Sequence, residues 1–245
     1  MRTIRIFVDC PLQAGLEVIL PEQAAAHAVR VLRLKAGDAL TLFNGDGCDY
    51  PARLIAASPR EVRTRIEAVN AAANESPLRI VLAQALARGE KMDWIVQKAT
   101  ELGVAAIIPL ITERSEVRLD AARAGKRAAH WRAVAIAACE QSGRSVLPAI
   151  AEPASLETWA ASPDRADRTL RLALLPDGGV RPRALGGVPE SVVLVAGPEG
   201  GFGERDLSGL RGAGFRGLAL GPRILRTETA GIVAIAALQA LYGDL

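Results

Sequence analysis

The spacing of apolar residues changes character near residue 70. Before that point, apolar and polar residues alternate over short runs: IRIFV at 4–8, DALTLFNG at 38–45, DYPARLIAA at 49–57 and EVRTRIEAV at 61–69. A period of two predicts half-buried strands. Turn-forming residues separate the runs, among them Ala36-Gly37-Asp38 and Asn44-Gly45-Asp46-Gly47. One helix is expected between them, over 22–33, with Pro21 just ahead of it. These elements predict a small β-barrel of about 70 residues, a size at which one sheet closed on itself can enclose a core. Residues 71–77 (AAANESP) then read as a linker closed by proline.

After the linker the rhythm lengthens. Residues 78–86 read as an apolar run, as expected of a strand buried on both faces. Over 91–102, Met92, Ile95, Val96, Ala99 and Leu102 fall on one helical face, and Gly103 stands where a helix-ending glycine belongs. Residues 104–111, 169–175, 191–197 and 216–221 predict further buried strands. An Ala-rich helix is expected over 123–142 and a terminal helix over about 229–241. Strands alternating with helices imply an α/β domain around a mostly parallel sheet. The expected division is therefore 1–72 and 73–245.

Composition narrows the possible functions only a little. Half of the 245 residues are hydrophobic but only 4% are aromatic, so the cores must be built from Ala, Val, Leu and Ile. The net charge of +3 permits a nucleic-acid partner without requiring one. Residues 113–145 concentrate basic side chains (Arg114, Arg118, Arg123, Lys126, Arg127, Arg132, Arg144), open to reading as a solvated helix face or a phosphate-binding stripe. Three widely spaced cysteines and two histidines, His27 and His130, suggest neither a disulfide framework nor a metal site. His27 and Cys139 read as packing residues. The N-terminus lacks a signal-peptide pattern, and the apolar stretch 230–242 is short of a membrane span, so a reducing, bacterial-type cytoplasm is expected.

Two glycine-bearing loops follow predicted strands: 197–203 (GPEGGFG) and 220–226 (LGPRILR). In open α/β sheets, ligands bind beyond the carboxyl ends of the strands. Glycine there lets the backbone approach a ligand closely. Neither loop carries the Lys-Ser/Thr of a P-loop, and neither completes a dinucleotide fingerprint. Tight turns would explain either loop alone. Together they suit a shared ligand held mainly through backbone groups, such as an adenine with a methionine-like tail.

These segments resemble the ribosomal RNA small subunit methyltransferase E family of the SPOUT superfamily. The resemblance covers essentially the whole chain. It rests on Arg5-Ile6-Phe7-Val8, HAVRVLRLK at 27–35, Gly37-Asp38, Leu42-Phe43-Asn44-Gly45, QKATELGV at 97–104, EQSGR at 140–144, GPEGGF at 197–202 and LGPRILRTETA at 220–230. Asp206 stands where the family pattern has Glu, keeping a carboxylate on a shorter arm. The resemblance implies an N-terminal PUA-like β-barrel and a C-terminal trefoil-knotted α/β domain. It also implies methylation of N3 of a uridine in 16S ribosomal RNA, within the 30S subunit, by a homodimer using S-adenosylmethionine and no metal.

On that resemblance, Leu174, Leu175, Gly197, Pro198, Glu199, Gly200, Gly201, Leu220, Gly221, Ile224, Leu225, Arg226 and Ala230 are expected to hold the cofactor. Arg226 and Glu228 are the candidate catalytic residues. A guanidinium beside the base would stabilise the anion formed when N3 loses its proton, and a carboxylate would accept that proton. Arg226 is equally open to an ion pair with Glu228 or Glu199, and Glu228 to favouring a helix N-terminus. Glu199 is open to meeting the cofactor's ammonium, orienting RNA, or serving as a loop acid. Thr227 and Thr229 read as N-caps. Arg5, Arg30, Arg33, Lys35 and Arg144 form a candidate RNA surface. A 2′-O-ribose methyltransferase of the same superfamily and a non-catalytic ribosome-assembly factor remain as rival readings.

Overall fold

The computed structural model describes residues 4–58, 61–115, 121–161 and 169–245. The chain forms two compact units. One comprises Met1–Glu75 and Ile136–Leu147; the other comprises Ser76–Ala135 and Pro148–Leu245.

The first unit holds β1 (Arg5–Phe7), β2 (Glu17–Ile19), α1 (Glu22–Ala26), β3 (Ala39–Phe43), β4 (Cys48–Ala57), β5 (Val62–Ile66) and β6 (Asn70–Ala71). The sheet order is β1-β3-β4-β5-β2, with β6 on β4. The alternation in β5 works as expected: Val62, Thr64 and Ile66 are buried, joining Ile6, Val18, Leu40, Leu42 and Leu54 in one core. The expected helix over 22–33 divides. After α1 the backbone opens into a π-helical turn, His27–Val31, and Arg33 then adopts a positive φ of 55°. That geometry turns Ala28 inward and leaves His27 exposed, so His27 is not a packing residue. Cys139 is one, and burial pushes its thiol up to about 11.

The expected linker is anchored. Its Ala71 pairs with Cys48 in the sheet, and Glu75 receives the Arg144 guanidinium at 2.7 Å. Phe7 donates its backbone N–H to Glu140 at 3.0 Å. Those contacts hold residues 136–147 in this unit.

The second unit holds β7 (Arg79–Ala85), α2 (Lys91–Glu101), β8 (Ala106–Ile111), α3 (Ala121–Ser142, its last turns counted with the first unit), β9 (Ala149–Ile150), β10 (Ala154–Ser155), α4 (Leu156–Ala160), β11 (Thr169–Leu174), β12 (Ser191–Ala196), α5 (Glu204–Gly212), β13 (Arg216–Leu218) and α6 (Thr227–Tyr242). Its sheet is parallel, ordered β10-β8-β7-β12-β11-β13, with β9 on β8. The central strands β7 and β12 are apolar because helices cover both faces. Val195, Ala173 and Leu110 pack against Leu156 of α4 and Leu210 of α5. Gly103 ends α2 at a positive φ of 81°, as its position in the sequence predicts. The one polar residue inside the β7 core, Gln84, is fully buried.

Candidate functional site

A cavity of about 580 Å³ opens at the carboxyl ends of β11, β12 and β13. Leu174, Leu175 and Pro176 line it from the end of β11. Gly197, Pro198, Glu199, Gly201 and Phe202 come from the loop after β12. Leu218, Leu220, Gly221 and Arg223 to Arg226 come from β13 and the loop after it. Thr227 and Ala230 of α6, Leu207 of α5 and Lys91 of α2 complete the lining. Every residue expected to hold the cofactor is on this wall except Gly200. The Gly200 carbonyl instead accepts from Arg114 at 3.1 Å.

The loop after β12 is braced at several points. The Thr227 hydroxyl donates to the Gly197 carbonyl at 2.6 Å and accepts from Gln84 at 3.2 Å. Thr227 is therefore not an N-cap. Arg226, with extended backbone, holds that position, and its carbonyl takes the Thr229 and Ala230 amides. A Cβ on Gly197 would stand 3.1 Å from the Phe202 ring, which would have to give by a few tenths of an ångström. Beyond the loop, Asp206 accepts from the Gly203 amide at 3.0 Å and from the Glu113 amide at 3.1 Å. Its shorter arm thus still caps α5 and ties the loop after β8 to the glycine loop.

Charge gathers on one side of the cavity. Lys91 Nζ lies 2.9 Å from Glu199 Oε1 and 3.3 Å from Glu228 Oε2. The bond to Glu199 raises the Lys91 pKa. Burial opposes the charge of Glu199, but Lys91 and the backbone amides around it pull its carboxyl below the usual range. Among the described residues, Arg226 makes neither of the ion pairs open to it in the sequence, and Lys91 stands within ion-pair distance of both carboxylates. Glu228 sits beside the cavity rather than on its wall. Arg223 and Arg226 are exposed on the wall, and among the described residues no carboxylate pairs with either.

The candidate RNA-binding residues, all in the first unit, separate into two groups. Arg5 is sequestered: it grips Asp49 at 2.8 and 3.0 Å, reaches the Arg144 carbonyl and Ser145, and lies over the Phe43 ring. Arg144 is 4% exposed and is held by Glu75. Neither is open to a phosphate as placed. Arg30, Arg33 and Lys35 are exposed on and after the π-helical turn. Arg118 of the basic stretch lies outside the described residues.

Arg223 lines the cavity within 220–225, a run expected to wrap the cofactor, and Lys91, Pro176, Phe202, Leu207, Leu218 and Thr227 line it without being expected there. Thr227 lies within the segment 220–230 that carries the resemblance, which is the available signal for it. Lys91 had none, since a lysine at a helix start reads as solvated. Among the described residues, no cluster of His, Cys, Asp and Glu is placed to hold a metal, and no helix is long and apolar enough to cross a membrane.

Comparison with known proteins places this geometry. A family model described as an RNA methyltransferase domain matches residues 74–239, and one described as an RNA methyltransferase PUA domain matches 20–67. The chain is 31% identical to the ribosomal RNA small subunit methyltransferase E of Buchnera aphidicola subsp. Acyrthosiphon pisum, over 98% of this chain and 94% of that one. A Legionella pneumophila methyltransferase solved with S-adenosylmethionine superposes with a TM-score of 0.94 at 42% identity, covering 100% of both chains. A ribosomal RNA small subunit methyltransferase E from Neisseria gonorrhoeae bound to S-adenosylmethionine gives 0.92 at 36%, also over 100% of both. The fold class is the SPOUT-type α/β domain with a PUA-like domain ahead of it, and the chain belongs to the ribosomal RNA small subunit methyltransferase E family.

Proposed function

We propose that the chain uses S-adenosylmethionine to methylate N3 of a uridine in 16S ribosomal RNA of the 30S subunit, acting in the cytoplasm as a homodimer. The cavity carries this reading: two glycine-bearing loops and the start of α6 enclose a volume within the range of about 300–1,000 Å³ common to small-molecule sites. Its leucines give an apolar wall, and Gly197 sets bare backbone on the cavity lining. That combination suits an adenosine with a thioether-like tail, gripped through backbone groups.

When bound, S-adenosylmethionine supplies an electrophilic methyl group on a charged sulfur. The protein has to align the uracil and make N3 a nucleophile. Leu174, Leu175, Leu220 and Leu225 give the cofactor an apolar wall. The N3 proton departs to solvent, and Arg226 stabilises the resulting imide anion through its guanidinium. Glu228, held by Lys91, serves the charge balance of the α6 N-terminus instead of taking the proton. Residues 1–72 hold RNA through Arg30, Arg33 and Lys35, and 73–245 carry out the transfer. Exposed Val233 and Leu241 on α6 support pairing of two copies.

The test is transfer of a tritiated methyl group to 30S particles, followed by nucleoside analysis. Label in 3-methyluridine is expected. Label in a 2′-O-methylated nucleoside would move the chain to the ribose-modifying class, and no transfer at all would favour a binding-only factor.

A further inference from the structure

Two carboxylates and one ammonium meet beside the cavity, in a part of the site that neither glycine loop supplies alone. Glu199 belongs to the loop after β12, Glu228 to the first turn of α6, and Lys91 to the first turn of α2. Glu199 also accepts from the Arg88 amide at 3.3 Å. Among the described residues, the charged side chains at this end of the cavity include Lys91, Glu199, Glu228, Arg223 and Arg226, with Arg114 bonded behind the loop to Gly200 and Arg88 adjoining Glu199 through its amide. If both acids are ionised, one cation neutralises two anions and two cations remain uncommitted.

We propose that Lys91 is a positioning residue for methyl transfer: by holding both Glu199 and Glu228, it keeps Arg226 unpaired and available to the anionic uracil. The inference rests on the reading of Arg226 given above. A guanidinium attracts a carboxylate as strongly as it attracts an imide anion, and its planar fork suits the carboxylate better. Glu228 stands two residues from Arg226 on the same helix start, where an unheld carboxylate would capture it. Lys91 removes that competitor. Its side chain is only partly buried, so its loss need not disturb the core.

The consequence is a specific pH signature. Below the pKa of bound uracil N3, the rate of transfer follows the fraction of anion, which Arg226 raises. In Lys91→Met, Arg226 is shared with Glu228, the N3 pKa rises, and the rising limb of the kcat profile moves to higher pH. A displacement of about one unit is expected, equal to about a tenfold loss of kcat at neutral pH, and the rates converge with wild type at high pH. Lys91→Arg, which keeps the cation, should retain the wild-type limb. Lys91→Met/Glu228→Gln, which also removes the competitor, should move the limb back toward wild type.

The measurement is single-turnover methyl transfer to 30S particles across pH, at saturating cofactor and substrate, for wild type, these three variants and Arg226→Ala. A displaced limb in Lys91→Met with return in the double variant supports the proposal. A loss of equal size at every pH, or an unchanged profile, overturns it. Near-wild-type turnover in Arg226→Ala would instead remove Arg226 from the mechanism, a failure of the underlying reading that the other variants would not show.

Discussion

The two glycine-bearing loops line one cavity but are built on different terms. The loop after β12 is braced from several elements: Thr227 on the Gly197 carbonyl, Arg114 on the Gly200 carbonyl, Asp206 on the Gly203 amide and Lys91 on Glu199. The loop after β13 is held at its two ends. At one, Ala219 donates to Val180; at the other, the Arg226 carbonyl takes the first amides of α6. Between them Pro222, Arg223 and Ile224 are exposed, Ile224 at 86%. One side of the site is thus a preformed wall and the other an edge with side chains to spare. Ligand-facing surface left exposed in this way has little to contribute to folding and much to binding.

Substitutions should separate the two. Gly203→Ala places a Cβ 2.9 Å from the Glu113 Cβ and displaces the Glu113 carboxylate from the Arg205 amide. Overpacking of this kind costs about 1–3 kcal/mol, and a drop in chemical-denaturation midpoint should report it alongside weakened cofactor binding. Thr227→Val strands the Gly197 carbonyl and leaves the Gln84 amide with its bond to the Ala85 carbonyl, and about 1–3 kcal/mol of stability should be lost. Ile224→Ser should change stability by less than about 0.5 kcal/mol while weakening S-adenosylmethionine binding. A Gly203→Ala protein as stable as wild type, or an Ile224→Ser protein as unstable as Thr227→Val, would erase the distinction.

A smaller contrast lies within the first unit, between arginines that are held and arginines that are free. Arg30→Ala/Arg33→Ala should weaken binding to ribosomal RNA and lower the slope of log K against log salt. An unchanged slope would take the π-helical turn out of the RNA surface. The pair that holds Arg5 answers to pH through Asp49. Burial opposes ionisation of Asp49, but Arg5 and Ser145 outweigh it and hold the carboxyl below its ordinary 3.8. A depressed folded pKa means stability that is fully present above the unfolded value and lost as pH falls through the folded one. Between neutral and acid pH, wild type should lose more stability than Asp49→Asn, as followed by circular dichroism; equal losses in the two proteins would remove this pair from the stability of the unit.

How much of this was legible in the sequence depends on whether the signal was local. Strand periodicity, the Gly103 helix stop and the two loops were visible because each is written in consecutive residues. The division between Arg5 and Arg30 was not. Neither residue's immediate neighbours mark it as held or free, and the approach of Asp49 and Ser145, 44 and 140 residues away, sequesters Arg5. Lys91 was missed for the same reason, its partner Glu199 lying 108 residues on. Thr227 was read as an N-cap because threonine before an acidic turn favours that role; a tertiary partner, the Gly197 carbonyl, claimed its hydroxyl. The π-helical turn had no local marker, since HAVRV suits an ordinary helix equally well.

The most direct test of the site is a calorimetric titration of S-adenosylmethionine into the wild-type chain and into Ala230→Phe, which fills the cavity from α6. Saturable binding to wild type is expected, with the heat lost in Ala230→Phe while its melting temperature is kept. Equal affinity in a folded Ala230→Phe protein would place the cofactor elsewhere and contradict the account.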